Sequence, residues 1–137
     1  MSIQVVVDSC VAYKWFYRDG EEGLEKADAL LEAHGRGEIA LAAPATFSVE
    51  LCNALRYSGQ PEKRVIEILD LIEAAHVMLY FSTNQRLTRA LHLGQRHGLS
   101  VYDALFLQLA EELDCPLVTA DRRAFAKLDT KVQVRLI

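Results

Sequence analysis

The sequence predicts an α/β protein in which helices cover both faces of a mainly parallel sheet of about five strands, forming a three-layer α/β/α sandwich. Short apolar runs rich in β-branched residues alternate with longer segments whose apolar residues recur at helical spacing. Pairs of helical segments separate most of these runs, so crossovers must join the strands and the strands pair in parallel. The 137 residues, 51% of them hydrophobic, suffice for one core, and we expect a single domain over residues 1–137.

The first half of the chain is expected to contain two strands and four helices. The first strand is an uninterrupted β-branched run, which suits a strand buried on both faces. The helices carry their apolar residues on one face and end near glycine or proline. On the third and fourth helices, Ala54 and Ile66 are among the residues expected to face the core. The predicted segments are residues 3–7, 9–17, 22–34, 39–43 and 44–57, and a helix after the turn at 59–61.

The second half is expected to contain three strands and three helices. Asn84 is predicted to cap the first of these helices. Its inward residues are expected to be Leu87, Ala90, Leu91 and Gly94. The helix that starts at Ser100 is apolar on nearly every side, which predicts that it is buried. The predicted segments are residues 76–81, 84–98, 100–113, 116–119, 122–128 and 132–136.

Charge and cysteine content restrict the class of protein. The net charge of −4 disfavours a protein that binds duplex DNA through its overall field. Residues 1–73 carry a net charge of −6, whereas residues 74–137 carry +2 and include Arg86, Arg89 and Arg96 in a stretch without carboxylates. This asymmetry fits either a nucleic-acid surface or an ordinary solvated helix. Three well-separated cysteines without a C-x-x-C motif predict reduced thiols and a cytoplasmic location. We expect neither a signal peptide nor a membrane span.

Four carboxylates lie at positions where an α/β sheet binds ligands. Asp8 and Asp121 each follow a predicted strand, and parallel strands bring their carboxyl ends to one edge. Asp103 lies in the first turn of the apolar helix, and Glu50 borders the apolar face of the helix after the second strand. Four acids at one edge cannot all stay ionised without a counter-charge. Mg²⁺ or Mn²⁺, which prefer oxygen ligands, would supply that charge.

Each of these acids also has a purely structural explanation. The three aspartates could cap the helices that begin beside them. Glu50 could form an ion pair with Arg56 or Lys14. Other phosphate chemistries lack their motifs, because the chain contains neither G-x-x-x-x-G-K-[ST] nor G-x-G-x-x-G, and no recognisable nucleophile elbow. The four histidines form no zinc-binding pattern.

Four segments, in order along the chain, resemble the motifs of PIN domains of the VapC toxin type. They are Val-Val-Val-Asp8-Ser-Cys-Val-Ala-Tyr-Lys14-Trp15, Phe-Ser-Val-Glu50-Leu-Cys-Asn53-Ala-Leu, Ser100-Val-Tyr-Asp103-Ala-Leu and Leu-Val-Thr119-Ala-Asp121-Arg-Arg. The resemblance spans nearly the whole chain, with order and spacing preserved. It implies a Mg²⁺- or Mn²⁺-dependent endoribonuclease, the toxin of a type II toxin–antitoxin pair, commonly a homodimer blocked by a cognate antitoxin.

The resemblance also implies a role for individual residues. The catalytic and metal-holding acids would be Asp8, Glu50, Asp103 and Asp121, with Asp8 and Asp103 as the first choice for direct ligands. Thr119, Cys10 and Asn53 would support those ligands without holding the ion. Lys14, Arg122 and Arg123 are candidate RNA contacts.

The chain departs from the family pattern at Cys10, where the family usually has Ser or Thr. A thiol is a weaker hydrogen-bond donor than a hydroxyl, so Asp8 is expected to be held more loosely and catalysis to be slower. Two alternatives therefore stay open. One is a PIN-fold module that binds RNA or protein with little catalysis, and the other is an RNA-processing PIN nuclease that is not a toxin.

Overall fold

The computed structural model describes residues 3–137, which form five strands and seven helices. The strands are β1 (Ile3–Val7), β2 (Ile39–Pro44), β3 (Met78–Tyr80), β4 (Leu117–Thr119) and β5 (Val134–Leu136). The helices are α1 (Ser9–Phe16), α2 (Leu24–Gly35), α3 (Thr46–Arg56), α4 (Glu62–Ala74), α5 (Asn84–His97), α6 (Val101–Leu113) and α7 (Arg122–Phe125). Every predicted element is found, with bounds that differ by a few residues. No helix in this range is long and apolar enough to cross a membrane.

The strands form one sheet in the order β3-β2-β1-β4-β5, and all neighbours pair in parallel. The central strand β1 pairs with β2, where Val5 lies opposite Leu41, and with β4, where Val6 lies opposite Leu117. The prediction of a parallel sheet of about five strands is confirmed. Since the strands are parallel, the residues that follow β1 and β4 emerge at the same edge.

The helices form a layer on each face of this sheet. The chain runs outward from β1 to β2 and β3 and then returns past β1 to β4, so right-handed crossovers place α1–α4 and α5–α6 on opposite faces. On the first face α1 packs against α2 and α3, and on the second α5 packs against α6, which lies over β1 and β2. The predicted three-layer sandwich is confirmed.

The core lies where β1 meets α6. Val6 and Val7 are fully buried, as the uninterrupted apolar run predicted. Every residue of α6 from Ala104 to Ala110 is buried, because this helix is enclosed by β1, β2, β4 and α5. The prediction from its all-round apolar character is therefore confirmed.

Four side chains that were expected to face the core are exposed. They are Ala54, Ile66, Leu87 and Leu91. On α5 the buried residues are Ala90, Leu93 and Gly94, and the two leucines lie on the flank of that stripe. On α4 the side chains of Ile68 and Ile72 are buried, whereas Ile66, two residues before Ile68, lies on the far side of the helix from them. Apolar residues at the edge of an apolar face match the helical spacing without being covered.

The cap of α5 is Thr83, and the prediction of Asn84 was wrong by one position. The hydroxyl oxygen of Thr83 accepts a hydrogen bond from the backbone N–H of Arg86 at 3.2 Å. Asn84 is instead the first helical residue. Threonine and asparagine are both favourable caps, so the sequence alone does not rank the two neighbours decisively.

Candidate active site

The four predicted acids lie near one another at the carboxyl edge of the sheet. Asp8 follows β1 and Asp121 follows β4, while Asp103 lies in the first turn of α6 and Glu50 lies on α3, which follows β2. Burial is the main cause that raises the pKa of Asp8, Glu50 and Asp103, and the charges of neighbouring acids add to it. Asp103 acts on Asp8, these two acids act on Glu50, and Asp121 acts on Asp103. Each acid is therefore close enough to repel at least one other.

Asp8 is the most enclosed of the four, with 4% of its surface exposed. Burial raises its pKa above the usual value, and the charge of Asp103 adds to the effect. The Thr119 hydroxyl, which is itself fully buried, donates a hydrogen bond of 2.7 Å to Oδ2 of Asp8 and partly offsets that rise. Asp8 stands at the cap position of α1, but its side chain makes no capping hydrogen bond. Capping therefore does not account for the Asp8 carboxylate.

Asp121 does cap a helix. Its Oδ1 accepts the backbone N–H of Ala124 at 3.0 Å, and its own N–H donates to the Thr119 hydroxyl oxygen at 3.1 Å. Thr119 therefore connects Asp8 directly with the backbone of Asp121. At the start of α6, the Ser100 hydroxyl oxygen accepts the N–H of Asp103 at 3.1 Å. Burial, followed by the charge of Asp121, raises the pKa of the Asp103 carboxyl.

Glu50 lacks the ion pair that would explain it structurally. Lys14 is buried and pairs with Glu21 at 3.0 Å, while the guanidinium of Arg56 lies over the Tyr57 ring at 5.2 Å. Burial, and then the charges of the other acids, raise the pKa of Glu50 to about 7. The alternative of an ion pair with Lys14 or Arg56 is therefore wrong.

These acids suit a hard divalent cation by their chemistry. Within residues 3–137, no lysine or arginine is among the causes that shift the pKa of Asp8, Glu50 or Asp103. Carboxylate oxygens without a cationic partner are the ligands that Mg²⁺ and Mn²⁺ prefer. In the same described range, however, no three Asp, Glu, His or Cys side chains converge closely enough to hold an ion as they stand. Coordination would require these side chains to draw together.

Cys10 faces away from Glu50, toward β4. Its Sγ lies 3.6 Å from the Thr119 hydroxyl oxygen and accepts the backbone N–H of Ala120 at 3.3 Å. Burial and the charge of Asp8 raise the pKa of this thiol to about 12, so it is protonated at neutral pH. The thiol thus joins α1 to the segment that carries Asp121.

The predicted supporting and RNA-contacting residues lie in different surroundings. Asn53 is exposed, one turn after Glu50. Arg122 and Arg123 are exposed on α7, next to Asp121, and in the described part of the chain neither side chain forms an ion pair. Lys14 already has Glu21 as its partner. The two arginines are therefore the better placed of the predicted RNA contacts.

The positive stretch on α5 is largely neutralised. Arg86 forms a two-pronged ion pair with Glu112 at 3.0 and 2.9 Å, and Arg89 pairs with Glu111 at 2.8 Å. Both acids lie on α6, outside the carboxylate-free stretch of sequence. Arg96 is exposed. The charge asymmetry of the sequence is therefore reduced in three dimensions by pairing between helices.

Sequence reasoning did not single out Ser9. Its hydroxyl lies 3.5 Å from Oδ1 of Asp8 and 3.4 Å from Oε2 of Glu50, between two of the predicted acids. A hydroxyl residue that directly follows an aspartate at the end of a strand is the signal that could have found it.

The sequence profile of the family described as PIN domain matches residues 5–131. The chain belongs to the PIN domain family. The match contains all four segments that carry the acids of this PIN domain, and the resemblance seen in the sequence is confirmed. No curated protein matches the chain in sequence.

Solved structures share the fold of this PIN domain at low sequence identity. A toxin–antitoxin complex from Klebsiella pneumoniae has 20% identity and a TM-score of 0.64, covering 91% of this chain and 92% of its own. The protein PAE2754 from Pyrobaculum aerophilum has 22% identity and a TM-score of 0.71, covering 98% and 84%. VapC20 from Mycobacterium tuberculosis, described as a sarcin–ricin loop cleaving toxin, has 13% identity and a TM-score of 0.65, covering 92% and 98%.

Proposed function

We propose that this PIN domain, with residues 1–137 as one domain, is a Mg²⁺- or Mn²⁺-dependent endoribonuclease and the toxin of a toxin–antitoxin pair in the cytoplasm. The observation that carries the proposal is the grouping of Asp8, Glu50, Asp103 and Asp121 at one sheet edge, where neighbouring acids raise the pKa of the first three and no lysine or arginine lowers it. Acids that repel one another and are partly buried reduce stability, so a cation is the partner that such a set favours.

The residues at the acidic edge have different proposed roles in the reaction. Asp8 and Asp103 would hold the ion, and Glu50 and Asp121 would complete its site. When bound, the ion supplies Lewis-acid polarisation of a phosphodiester and favours the attack of water on it. Thr119 fixes one oxygen of Asp8 through its 2.7 Å hydrogen bond, and the other oxygen, Oδ1, lies toward Ser9. Arg122 and Arg123 lie beside Asp121, where their guanidinium groups can bind RNA phosphates.

Proteins of the same fold support the proposal of an antitoxin and an RNA as partners. One similar structure is a toxin–antitoxin complex, and another is a toxin that cleaves the sarcin–ricin loop. By analogy, we propose that this chain has a cognate antitoxin that covers the acidic edge and that its substrate is an RNA. A homodimer fits the exposed apolar side chains of β3 and α5, which are surface of the kind that a second copy buries. These side chains are Met78, Leu79, Leu87 and Leu91.

Induced expression and an RNA cleavage assay test the proposal together. The wild-type chain should arrest bacterial growth and should cleave RNA with Mg²⁺ or Mn²⁺ but not with EDTA. Asp103→Asn should reduce cleavage at least about 100-fold, because it removes a negative oxygen ligand worth several kcal/mol in such sites. Asp114→Asn is the matched control, since Asp114 ends α6 at the far end from Asp103 and asparagine tolerates its left-handed backbone, φ 50°.

A second candidate is a PIN-fold module that binds RNA or a protein with little catalysis. The observation that favours it is the lack, within residues 3–137, of three acids converged to hold an ion, together with the thiol at position 10. It would be supported if the purified chain bound RNA equally well in EDTA and in Mn²⁺ and cleaved none. Cleavage without growth arrest would instead indicate an RNA-processing nuclease.

A further inference from the structure

Ser9 occupies a position between two acids that the sequence separates by 41 residues. It is the first residue of α1, directly after Asp8, and its hydroxyl lies 3.5 Å from Oδ1 of Asp8 and 3.4 Å from Oε2 of Glu50. The hydroxyl can reach both acids because α1 packs against α3, which carries Glu50. It has one proton to donate, so at any moment it can form a close hydrogen bond with only one of the two carboxylates.

The two oxygens of Asp8 have different surroundings. Oδ2 accepts the 2.7 Å hydrogen bond from Thr119, a buried residue whose oxygen is also committed to the N–H of Asp121. Oδ1 faces Ser9 and, beyond it, Glu50. The short bond to Oδ2 fixes the carboxylate plane, so Oδ1 is the oxygen that remains able to bind a ligand. The contacts of Ser9 are longer than usual for O–H···O bonds, which leaves the hydroxyl free to shift between its acceptors.

Glu50 depends on Ser9 more than Asp8 does. Of the side chains in residues 3–137, Ser9 is the one that hydrogen-bonds to Glu50. Without this hydroxyl, no side chain in the described range would hydrogen-bond to Glu50, and the half-buried Glu50 side chain would be free to turn away from Asp8.

Cys10 does not perform this task. Its Sγ contacts the Thr119 hydroxyl oxygen, accepts the N–H of Ala120 and hydrogen-bonds to Asp8, but in the described part of the chain no hydrogen bond joins it to Glu50. The thiol therefore supports Asp8, whereas the hydroxyl of Ser9 is the group that reaches Glu50.

We propose that Ser9 is a positioning residue that holds Glu50 beside Oδ1 of Asp8, so that the two carboxylates can bind one Mn²⁺ or Mg²⁺ ion together. This inference rests on the proposed function and deepens it. Ser9 acts through the two acids and does not itself hold the ion. Hydrogen-bonding partners behind metal ligands commonly change metal affinity 10- to 100-fold when they are removed.

Calorimetric titration of the full chain with MnCl₂ tests this inference. Ser9→Ala should weaken Mn²⁺ binding about 10-fold, and Ser9→Thr, which keeps the hydroxyl, should restore the affinity to within about threefold of wild type. Ser58→Ala is the matched control: Ser58 is half-buried like Ser9, its hydroxyl donates to the Leu55 carbonyl at 2.7 Å, and it lies in the turn after α3. Circular dichroism of each variant would establish that it is folded.

The outcomes separate this inference from the proposed function. A wild-type chain that binds no Mn²⁺ would overturn both. A wild-type chain that binds Mn²⁺, with a folded Ser9→Ala variant of equal affinity, would overturn the role of Ser9 alone.

Discussion

Charges are arranged in opposite ways at the acidic edge of the sheet and on the outer surface of α5 and α6. On the helices, Arg86 and Arg89 pair with Glu112 and Glu111, and the pairing lowers the pKa of Glu112. At the edge, Glu50 has a hydroxyl and other acids as neighbours, and its pKa is raised to about 7. Paired charges contribute modestly to stability, whereas unpaired acids reduce it. The acids without a cationic partner therefore distinguish this edge as the candidate ligand site.

The largest expected effect is the response of the edge to a cation. Mn²⁺ at about 100 times its dissociation constant should raise the free energy of unfolding by about 2.7 kcal/mol, because the ion binds only the folded chain. Urea unfolding with and without MnCl₂ measures this. Asp103→Asn should lose most of the gain and Asp114→Asn should keep it. An equal gain in all three proteins would place the ion elsewhere and would remove the contrast between the two regions.

Gly94→Ala tests how closely α5 packs against the turn that joins it to α6. A Cβ at this position would lie 2.8 Å from the backbone carbonyl oxygen of Leu99, which cannot move aside as a side chain can. We expect a loss of about 1–3 kcal/mol in the free energy of unfolding, measured in urea. Gly35→Ala is the control, since a Cβ there meets no atom within 4 Å. A Gly94→Ala variant as stable as the control would show that the turn after α5 can shift away from the helix at little cost.

The two regions should respond to pH with opposite sign. Glu50 has a folded-state pKa of about 7 against an ordinary 4.5, so the folded chain binds this proton more tightly than the unfolded chain. Its contribution to stability is complete below about pH 4.5 and is lost as pH rises through 7. The paired Glu112, with its lowered pKa, contributes in the opposite direction and only at lower pH.

Melting temperatures measured in EDTA between pH 5 and 8 would detect this dependence. We expect the melting temperature to fall as pH rises, with a smaller slope in Glu50→Gln and in the presence of Mn²⁺. A wild-type melting temperature that is flat or rises across this range would contradict the raised pKa of Glu50.

The smallest effect is expected from breaking an ion pair on the helices. Glu112→Gln should lower the free energy of unfolding by no more than about 1 kcal/mol, because both partners are partly solvated, and high salt should reduce the difference. The variant should bind Mn²⁺ like wild type. A loss of several kcal/mol, or weaker Mn²⁺ binding, would mean that the two regions are coupled.

The fold could be predicted wherever burial leaves a direct mark on the sequence. The run Val5–Val7 and the all-round apolar helix α6 are enclosed on every side, and their composition shows it. Leu87 and Leu91 were assigned wrongly because helical spacing identifies a face but not its margins. Whether a side chain at the margin of the face is covered depends on the neighbouring elements. The sequence of a single helix does not contain that information.

The site was predictable to the extent that parallel strands align their ends. Asp8 and Asp121 follow neighbouring strands, so topology alone brings them to one edge. Lys14 and Ser9 show what this reasoning misses. The Lys14–Glu21 pair depends on how the chain turns after α1, and the contact between Ser9 and Glu50 depends on the packing of α1 against α3.

The central position of β1 has a consequence for when the site can exist during synthesis. β1 is made first, yet one of its two neighbours in the sheet, β4, is made more than 100 residues later, as is Thr119, which holds Asp8. A nascent chain that ends before β4 has an open edge along β1 and lacks both Thr119 and Asp121. Contacts of such large sequence separation form slowly and late. The acidic edge can therefore be assembled only after the segment through Asp121 has been synthesised and has left the ribosome.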